Sequence, residues 1–247
     1  MPRFFVEQPP EGQVFLGGED GRHIAKSLRM RPGEALTLCD GRGRDYACAV
    51  VSCREDGALV QVEGSSPSAG EPETRITVCQ CLAKGDKLET VTQKAVELGA
   101  AEIRLVESAR CVVRLDGKAR EKKTARLQKI AREAAMQSGR GIIPQVLAPA
   151  PLEQVLKTAA AKGEILFFYE EGRASLKEAL RQAGQRLFVF VGPEGGFSPE
   201  EAALAQSLGG RLLTLGPRIL RTETAALAVF AAILYEKGDM ERRGEPV

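Results

Sequence analysis

The chain has 247 residues, 43% of them hydrophobic and 28% charged, with 26 glycines and 13 prolines. That balance suits one large soluble domain or two smaller ones, and it excludes collagen-like, disordered and disulfide-scaffold proteins. The formal net charge is only +2, so the total is silent about a polyanionic partner and the distribution must be read instead.

The opening residues, Met1-Pro2-Arg3-Phe4-Phe5, show neither the apolar run nor the small-residue cleavage site of a secretory signal. The longest apolar run, residues 225–234, is far short of the roughly 20 residues a membrane-spanning helix needs. A cytoplasmic protein is expected. The six cysteines (Cys39, Cys48, Cys53, Cys79, Cys81, Cys111) form no CxxC pair and are expected to stay reduced. With His23 as the single histidine, no metal site is expected.

Short β-type runs at residues 35–39, 46–53 and 59–62 are separated by turns such as Asp40-Gly41-Arg42-Gly43. They predict a small β-barrel or sheet, with one short helix around residues 23–28. Residues 63–72 are small, polar and punctuated by proline, and read as a linker between domains 1–70 and 71–247.

Beyond the linker, strands and helices alternate. Residues 75–81 form a strand. Leu88, Val91, Ala95 and Leu98 then recur at helical spacing over residues 86–98, with Gly99 as the C-terminal cap. Ile103 and Leu105 alternate in the next strand. A helix over residues 117–138 sets Leu127, Ile130, Ala134 and Ala135 opposite a basic face. Strand 165–169, helix 175–183 and strand 187–191 follow. The alternation predicts an α/β domain with a largely parallel sheet, in which ligands bind at the carboxyl ends of the strands. Residues 71–150 carry 15 basic against 10 acidic side chains, the excess lying between Arg104 and Arg140. Such a stripe suits a phosphate backbone, and a solvated helix face is the competing reading.

Two loops carry the chemistry. In Val191-Gly192-Pro193-Glu194-Gly195-Gly196-Phe197-Ser198-Pro199-Glu200-Glu201 a strand runs into three glycines and a helix begins. Ser198 is its N-cap, Pro199 its first residue, and Glu201 completes a capping box. The glycines permit positive φ and close approach of a ligand. Their spacing is not the dinucleotide G-x-G-x-x-G, and Glu194 would repel a phosphate. In the second loop, Leu215-Gly216-Pro217-Arg218-Ile219-Leu220-Arg221-Thr222-Glu223-Thr224-Ala225-Ala226, strand 212–215 ends and Thr222 caps a helix reaching residue 236. That helix is apolar nearly all round, which predicts burial on every side, and burial in a homodimer is preferred.

These two loops resemble the SPOUT methyltransferases, and within them the 16S ribosomal RNA (uracil-N3) methyltransferase family. Agreement extends to Pro2-Arg3-Phe4-Phe5, His23-Ile24, Leu28-Arg29-Met30, Pro32-Gly33, Gln93-Lys94-Ala95-Val96-Glu97-Leu98-Gly99 and Gln137-Ser138-Gly139-Arg140 followed by Pro144. The resemblance spans essentially the whole chain. Met136, where the family often has Glu, and Gly141-Ile142 depart from it.

The resemblance implies an N-terminal PUA-like RNA-binding barrel and a C-terminal domain with a trefoil knot. It also implies a homodimer and a bound S-adenosylmethionine that methylates N3 of one uridine of 16S rRNA in the small ribosomal subunit. The cofactor would be gripped by Tyr169, Val191, Gly192, Pro193, Glu194, Gly195, Gly196, Leu215, Gly216, Ile219, Leu220, Arg221, Thr224 and Ala225. N3 is protonated at neutral pH, so a base is needed, with Glu223 or Glu194 as candidates. Arg221 or Arg140 would stabilise charge developing on the carbonyl oxygens. RNA contact falls to Arg3, His23, Arg29, Lys94, Arg110, Lys122, Lys123, Arg126, Lys129 and Arg140. Two alternatives stand beside this reading. One is a SPOUT enzyme modifying another base or a ribose 2′-hydroxyl. The other is a non-enzymatic RNA-binding protein, against which the intact glycine loops weigh.

Overall fold

The computed structural model describes residues 1–241. Its contacts define two compact units: Met1–Glu71 with Ala135–Ile143, and Pro72–Ala134 with Pro144 onward. In sequence the segment Ala135–Ile143 lies inside the second domain, yet it packs as part of the first unit.

The first unit is a five-stranded sheet curled into a half-barrel. Its order is β1 (Arg3–Phe5), β3 (Ala35–Cys39), β4 (Arg44–Arg54), β5 (Gly57–Pro67), β2 (Gln13–Leu16). Phe4, Leu36, Leu38, Cys48, Val50 and Val60 fill its core, as alternation along half-buried strands requires. The short helix begins earlier than its sequence suggests, as α1 (Gly18–Arg22), and widens into a π-turn over His23–Ser27 that buries Ile24. The linker is also shorter than read. Residues 63–67 continue β5, with Ser65 and Ser66 paired to Tyr46 and Asp45. Their side chains face solvent, so this stretch of strand carries no hydrophobic signal.

Two polar clusters hold this unit. Arg3 donates to both oxygens of Asp45 at 2.6 and 2.5 Å, and Ser68 donates to the same carboxylate. Burial pushes the Asp45 carboxyl up, but the bonds from Arg3 and Ser68 outweigh it and hold the carboxyl below its ordinary value. The second cluster is built on Glu71. It accepts from Arg140 Nη2 at 2.6 Å and from the Gly141 and Ile142 N–H groups at 2.9 and 3.0 Å, which secures the returning segment.

The second unit is a six-stranded parallel sheet. Its order is β11 (Arg211–Leu213), β9 (Glu164–Phe168), β10 (Arg186–Val191), β6 (Arg75–Cys81), β7 (Glu102–Glu107), β8 (Gln145–Pro151). The strands read as continuous apolar runs because helices cover both faces. On one face, Val91 and Ala95 of α2 (Lys87–Glu97), Leu180 of α5 (Leu176–Gln182) and Val229, Phe230 and Ile233 of α7 (Thr222–Glu236) pack on Ile76, Val78, Leu187 and Val189. The remaining helices are α3 (Gly117–Gln137), α4 (Leu152–Lys162) and α6 (Pro199–Ser207). Gly99, at φ +100°, ends α2 as its position predicts. Strand β8, with Pro149 and Pro151, is tolerated because it lies at the sheet edge. Helix α7 is not enclosed on every side by its own chain: Ala232 is exposed and Tyr235 is 77% exposed. No helix of the described residues is long and apolar enough to cross a membrane.

A carboxyl whose folded pKa is depressed stabilises the fold above its unfolded value and loses that contribution as pH falls through the folded one. Asp45 therefore supports the first unit in full above about pH 3.8 and loses that contribution progressively as pH falls below it. Asp45→Asn should lower stability at neutral pH by about 1–2 kcal/mol and flatten the acid limb of the unfolding curve. Denaturant titrations across pH check this, and superimposable acid limbs would contradict it.

Candidate active site

Strands β9, β10 and β11 end on one edge of the parallel sheet, and the loops that follow them wall a cavity of about 350 Å³. Phe168, Tyr169 and Glu170 enter from β9, residues 191–194 with Gly196 and Phe197 from β10, and residues 213–216 and 218–222 from β11. Ala225 of α7 and Lys87 of α2 complete the lining.

The β10 loop folds as its sequence predicts. Gly196 sits at φ +66° and donates to the Pro193 carbonyl at 3.0 Å, closing a tight turn. A Cβ on Gly192 would lie 3.3 Å from the Gly196 backbone, so the two limbs of the turn are in contact. Phe197 then tucks onto Phe167, with ring centroids 4.1 Å apart, and anchors the turn to the sheet. Ser198 accepts from the Glu201 N–H at 3.2 Å and Glu201 Oε2 accepts from the Ser198 N–H at 2.8 Å, the full capping box. The other oxygen of Glu201 accepts from the Ala109 N–H at 2.7 Å, so the same residue ties down the loop after β7.

The β11 loop departs from expectation at Thr222. The N-cap of α7 is Arg221, without a side-chain capping bond, and Thr222 is the first helical residue. Its hydroxyl is engaged elsewhere: it donates to the Gly192 carbonyl at 2.6 Å and accepts from Gln80 Nε2 at 2.9 Å. A tertiary bridge has replaced the local cap. Gly216, at φ +92°, supplies the left-handed turn leaving β11.

Glu194 faces the cavity but is already engaged. It accepts from Lys87 Nζ at 2.7 Å and from the Lys84 N–H at 3.1 Å. Burial pushes its carboxyl up, while Lys87 and the backbone donors outweigh that and hold it below the usual carboxylate range. Burial, with Glu171 and Glu170 nearby, pushes the Tyr169 phenol up, so Tyr169 presents a protonated hydroxyl. Arg218 and Arg221 are exposed members of the lining. Glu223 is not in the lining, and its Oε2 is buried without a hydrogen-bond partner.

Of the sequence candidates for the cofactor, Tyr169, Val191, Gly192, Pro193, Glu194, Gly196, Leu215, Gly216, Ile219, Leu220, Arg221 and Ala225 meet around this one cavity. Gly195 and Thr224 lie outside the lining. The Gly195 carbonyl instead accepts from Arg110 at 3.0 Å. Lys87, Phe168, Glu170, Phe197, Leu213, Thr214, Arg218 and Thr222 also line the cavity and are not among those candidates. Lys87 was legible in principle, since it follows strand 75–81 at the same sheet edge.

The RNA candidates divide differently. Arg3 and Arg140 belong to the first unit, where Arg3 is tied to Asp45 and Arg140, 2% exposed, lies against Glu71. His23 and Arg29 are exposed there, with the His23 ring edge-on to Phe4. In the second unit Lys94 pairs with Glu97, and Lys123 and Arg126 converge on Glu89 at 2.9 and 3.2 Å. Lys129 faces Glu133 at 3.8 Å and Arg120 holds Glu107 at 2.7 Å. The basic stripe is thus partly neutralised from within, leaving Lys118 and Lys122 exposed with no ion pair among the described residues. No group of three or more His, Cys, Asp or Glu among the described residues could hold a metal.

Two domain models match the chain. Residues 70–234 match the model of an RNA methyltransferase domain, and residues 16–63 that of an RNA methyltransferase PUA domain. The Ribosomal RNA small subunit methyltransferase E of Bacillus subtilis (strain 168) is 35% identical over 248 residues, covering 96% of this chain and 97% of that protein. Its namesake from Mycobacterium bovis is 36% identical over 239 residues, covering 93% and 90%. Among solved structures, a Ribosomal RNA small subunit methyltransferase E from Neisseria gonorrhoeae, bound to S-adenosyl methionine, matches with a TM-score of 0.85. It is 32% identical, over 95% of this chain and 97% of that one. Relatives 35–36% identical over nearly the whole chain, together with the matching domain models, place this chain in the ribosomal RNA small subunit methyltransferase E family.

Proposed function

We propose that the protein is a cytoplasmic S-adenosylmethionine-dependent methyltransferase acting on N3 of a uridine in 16S ribosomal RNA, and that it works as a homodimer. The observation that carries this reading is the cavity walled by the glycine turns after β10 and β11. Its volume of about 350 Å³ is within the range of small-molecule sites. Val191, Leu213, Leu215, Leu220 and Ala225 offer apolar walls for a purine ring, and the turn backbones offer polar edges.

When bound, the cofactor supplies an electrophilic methyl group on a sulfonium. The protein's own task is to present N3 without its proton. Each pKa unit separating that group from ambient pH costs about 1.4 kcal/mol. Of the two candidate bases we assign the role to Glu223, whose Oε2 has no partner, rather than to Glu194, which Lys87 already occupies. Arg221, exposed in the lining, is assigned to charge developing on the uracil carbonyl oxygens. Arg140 is reassigned from chemistry to holding the first unit together through Glu71. N3 lies on the Watson–Crick edge, so the target base must be unpaired or flipped out to reach the cavity. RNA contact is assigned to His23 and Arg29 and to Lys118 and Lys122 on α3. The uncovered side of α7, with Ala232 and Tyr235, supports the homodimer part of the reading.

Calorimetry should show binding of S-adenosylmethionine and none of NAD, and binding of NAD alone would contradict the reading. Glu223→Gln should slow single-turnover methylation by about 10²–10⁴-fold with cofactor affinity nearly unchanged. Glu194→Gln should cost less, and the reverse order of the two variants would move the base to Glu194. Ala232→Glu combined with Tyr235→Glu should yield monomers by sedimentation, whereas an unchanged dimer would place the interface elsewhere.

A further inference from the structure

Gln80 lies at the centre of the sheet, on β6, directly in register with Val191, the residue before the glycine turn. It is 1% exposed. Its Nε2 donates to the Thr222 hydroxyl at 2.9 Å and to the Cys81 carbonyl at 3.1 Å, and its Oε1 is buried with no partner. The direction of this chain of bonds is forced. The Gly192 carbonyl can only accept, so the single Thr222 hydroxyl proton must point at it, over 2.6 Å. The Thr222 oxygen is then left to accept, so the amide nitrogen of Gln80 must face it. The amide oxygen is stranded as a consequence and cannot be rescued by flipping the group.

Buried polar atoms without partners are rare, and each calls for a reason. We infer that Gln80 is a positioning residue. Through Thr222 it fixes the direction of the Gly192 carbonyl and so the shape of the cofactor turn, and the protein tolerates a stranded oxygen for that purpose. This deepens the proposed function and rests on it for the identity of the ligand. Gln80 is absent from the cavity lining and acts only through Thr222, which is in it. An apolar residue of similar size at position 80 would remove the stranded oxygen together with the clamp. Stability and ligand binding should then move in opposite directions, which a purely structural role for Gln80 would not produce.

The test compares Gln80→Leu, Thr222→Val and Thr222→Ser with the wild type, using three readouts. These are melting temperature, hydrogen exchange of residues 192–197 in the cofactor-free protein, and calorimetric affinity for S-adenosylmethionine. Gln80→Leu should melt at or above the wild-type temperature. It should also exchange the turn amides at least 10-fold faster and bind S-adenosylmethionine at least 10-fold more weakly. Thr222→Val should loosen the turn likewise, and Thr222→Ser, which keeps the hydroxyl, should restore both exchange and affinity to near wild type. Unchanged exchange and affinity in folded Gln80→Leu would overturn the inference. So would losses in every variant, Thr222→Ser included, that simply track melting temperature. A wild type that binds no S-adenosylmethionine would sink the ligand assignment, while the exchange comparison would still decide whether the clamp exists.

Discussion

The cavity depends on parallel strands being obliged to end together. In the order β11-β9-β10, the two strands that feed the glycine turns are separated by one strand, which places their carboxyl ends about 10 Å apart. That gap is the width of a flat ligand, and its floor is the end of β9. Tyr169 closes it there, its N–H donating to the Leu213 carbonyl at 2.9 Å. An antiparallel arrangement would send alternate loops to opposite edges and leave no such crevice. The Thr222 hydroxyl then ties the two turns to each other through Gly192. The bond joins two loops whose turns each rest on a glycine at positive φ, Gly196 and Gly216.

Charge is allocated as carefully as shape. Two glutamates near the cavity have different surroundings. Glu194 is fixed by Lys87 and a backbone donor, and Glu223 keeps one oxygen without a partner. Residues of one type can serve separate roles when their environments differ in this way. The same economy governs the long helix α3, where Glu89 and Glu107 absorb cations of the basic stripe. A count of basic residues overstates what such a face offers to a polyanion, because a paired cation attracts phosphate less than a free one.

What was legible in the sequence was local. The Ser198-Pro199-Glu200-Glu201 start of α6 and the Gly99 stop of α2 depend on contacts within one turn, so spacing alone reports them. The parallel sheet followed from alternation, and most of the lining followed from two loops set at strand ends. What escaped notice depends on partners distant in the chain. Thr222 reads as a cap, yet its hydroxyl is spent on Gly192 and Gln80, residues 30 and 142 positions away. Arg140 reads as a ligand for RNA or base, yet it meets Glu71, 69 positions earlier, and draws Ala135–Ile143 into the first unit. Residues 63–67 read as linker because a solvent-facing strand extension carries no apolar alternation.

The central claim is a methyl transfer to N3 of uridine in small-subunit ribosomal RNA, and nucleoside mass spectrometry tests it most directly. Small-subunit RNA from cells lacking the protein would be incubated with the purified protein and S-adenosylmethionine, digested and analysed. The account predicts that 3-methyluridine appears at one site, that it requires both protein and cofactor, and that Glu223→Gln delays it. A methyl group found on a ribose 2′-hydroxyl or on another base, or no methylation of RNA by protein that binds S-adenosylmethionine, would contradict it.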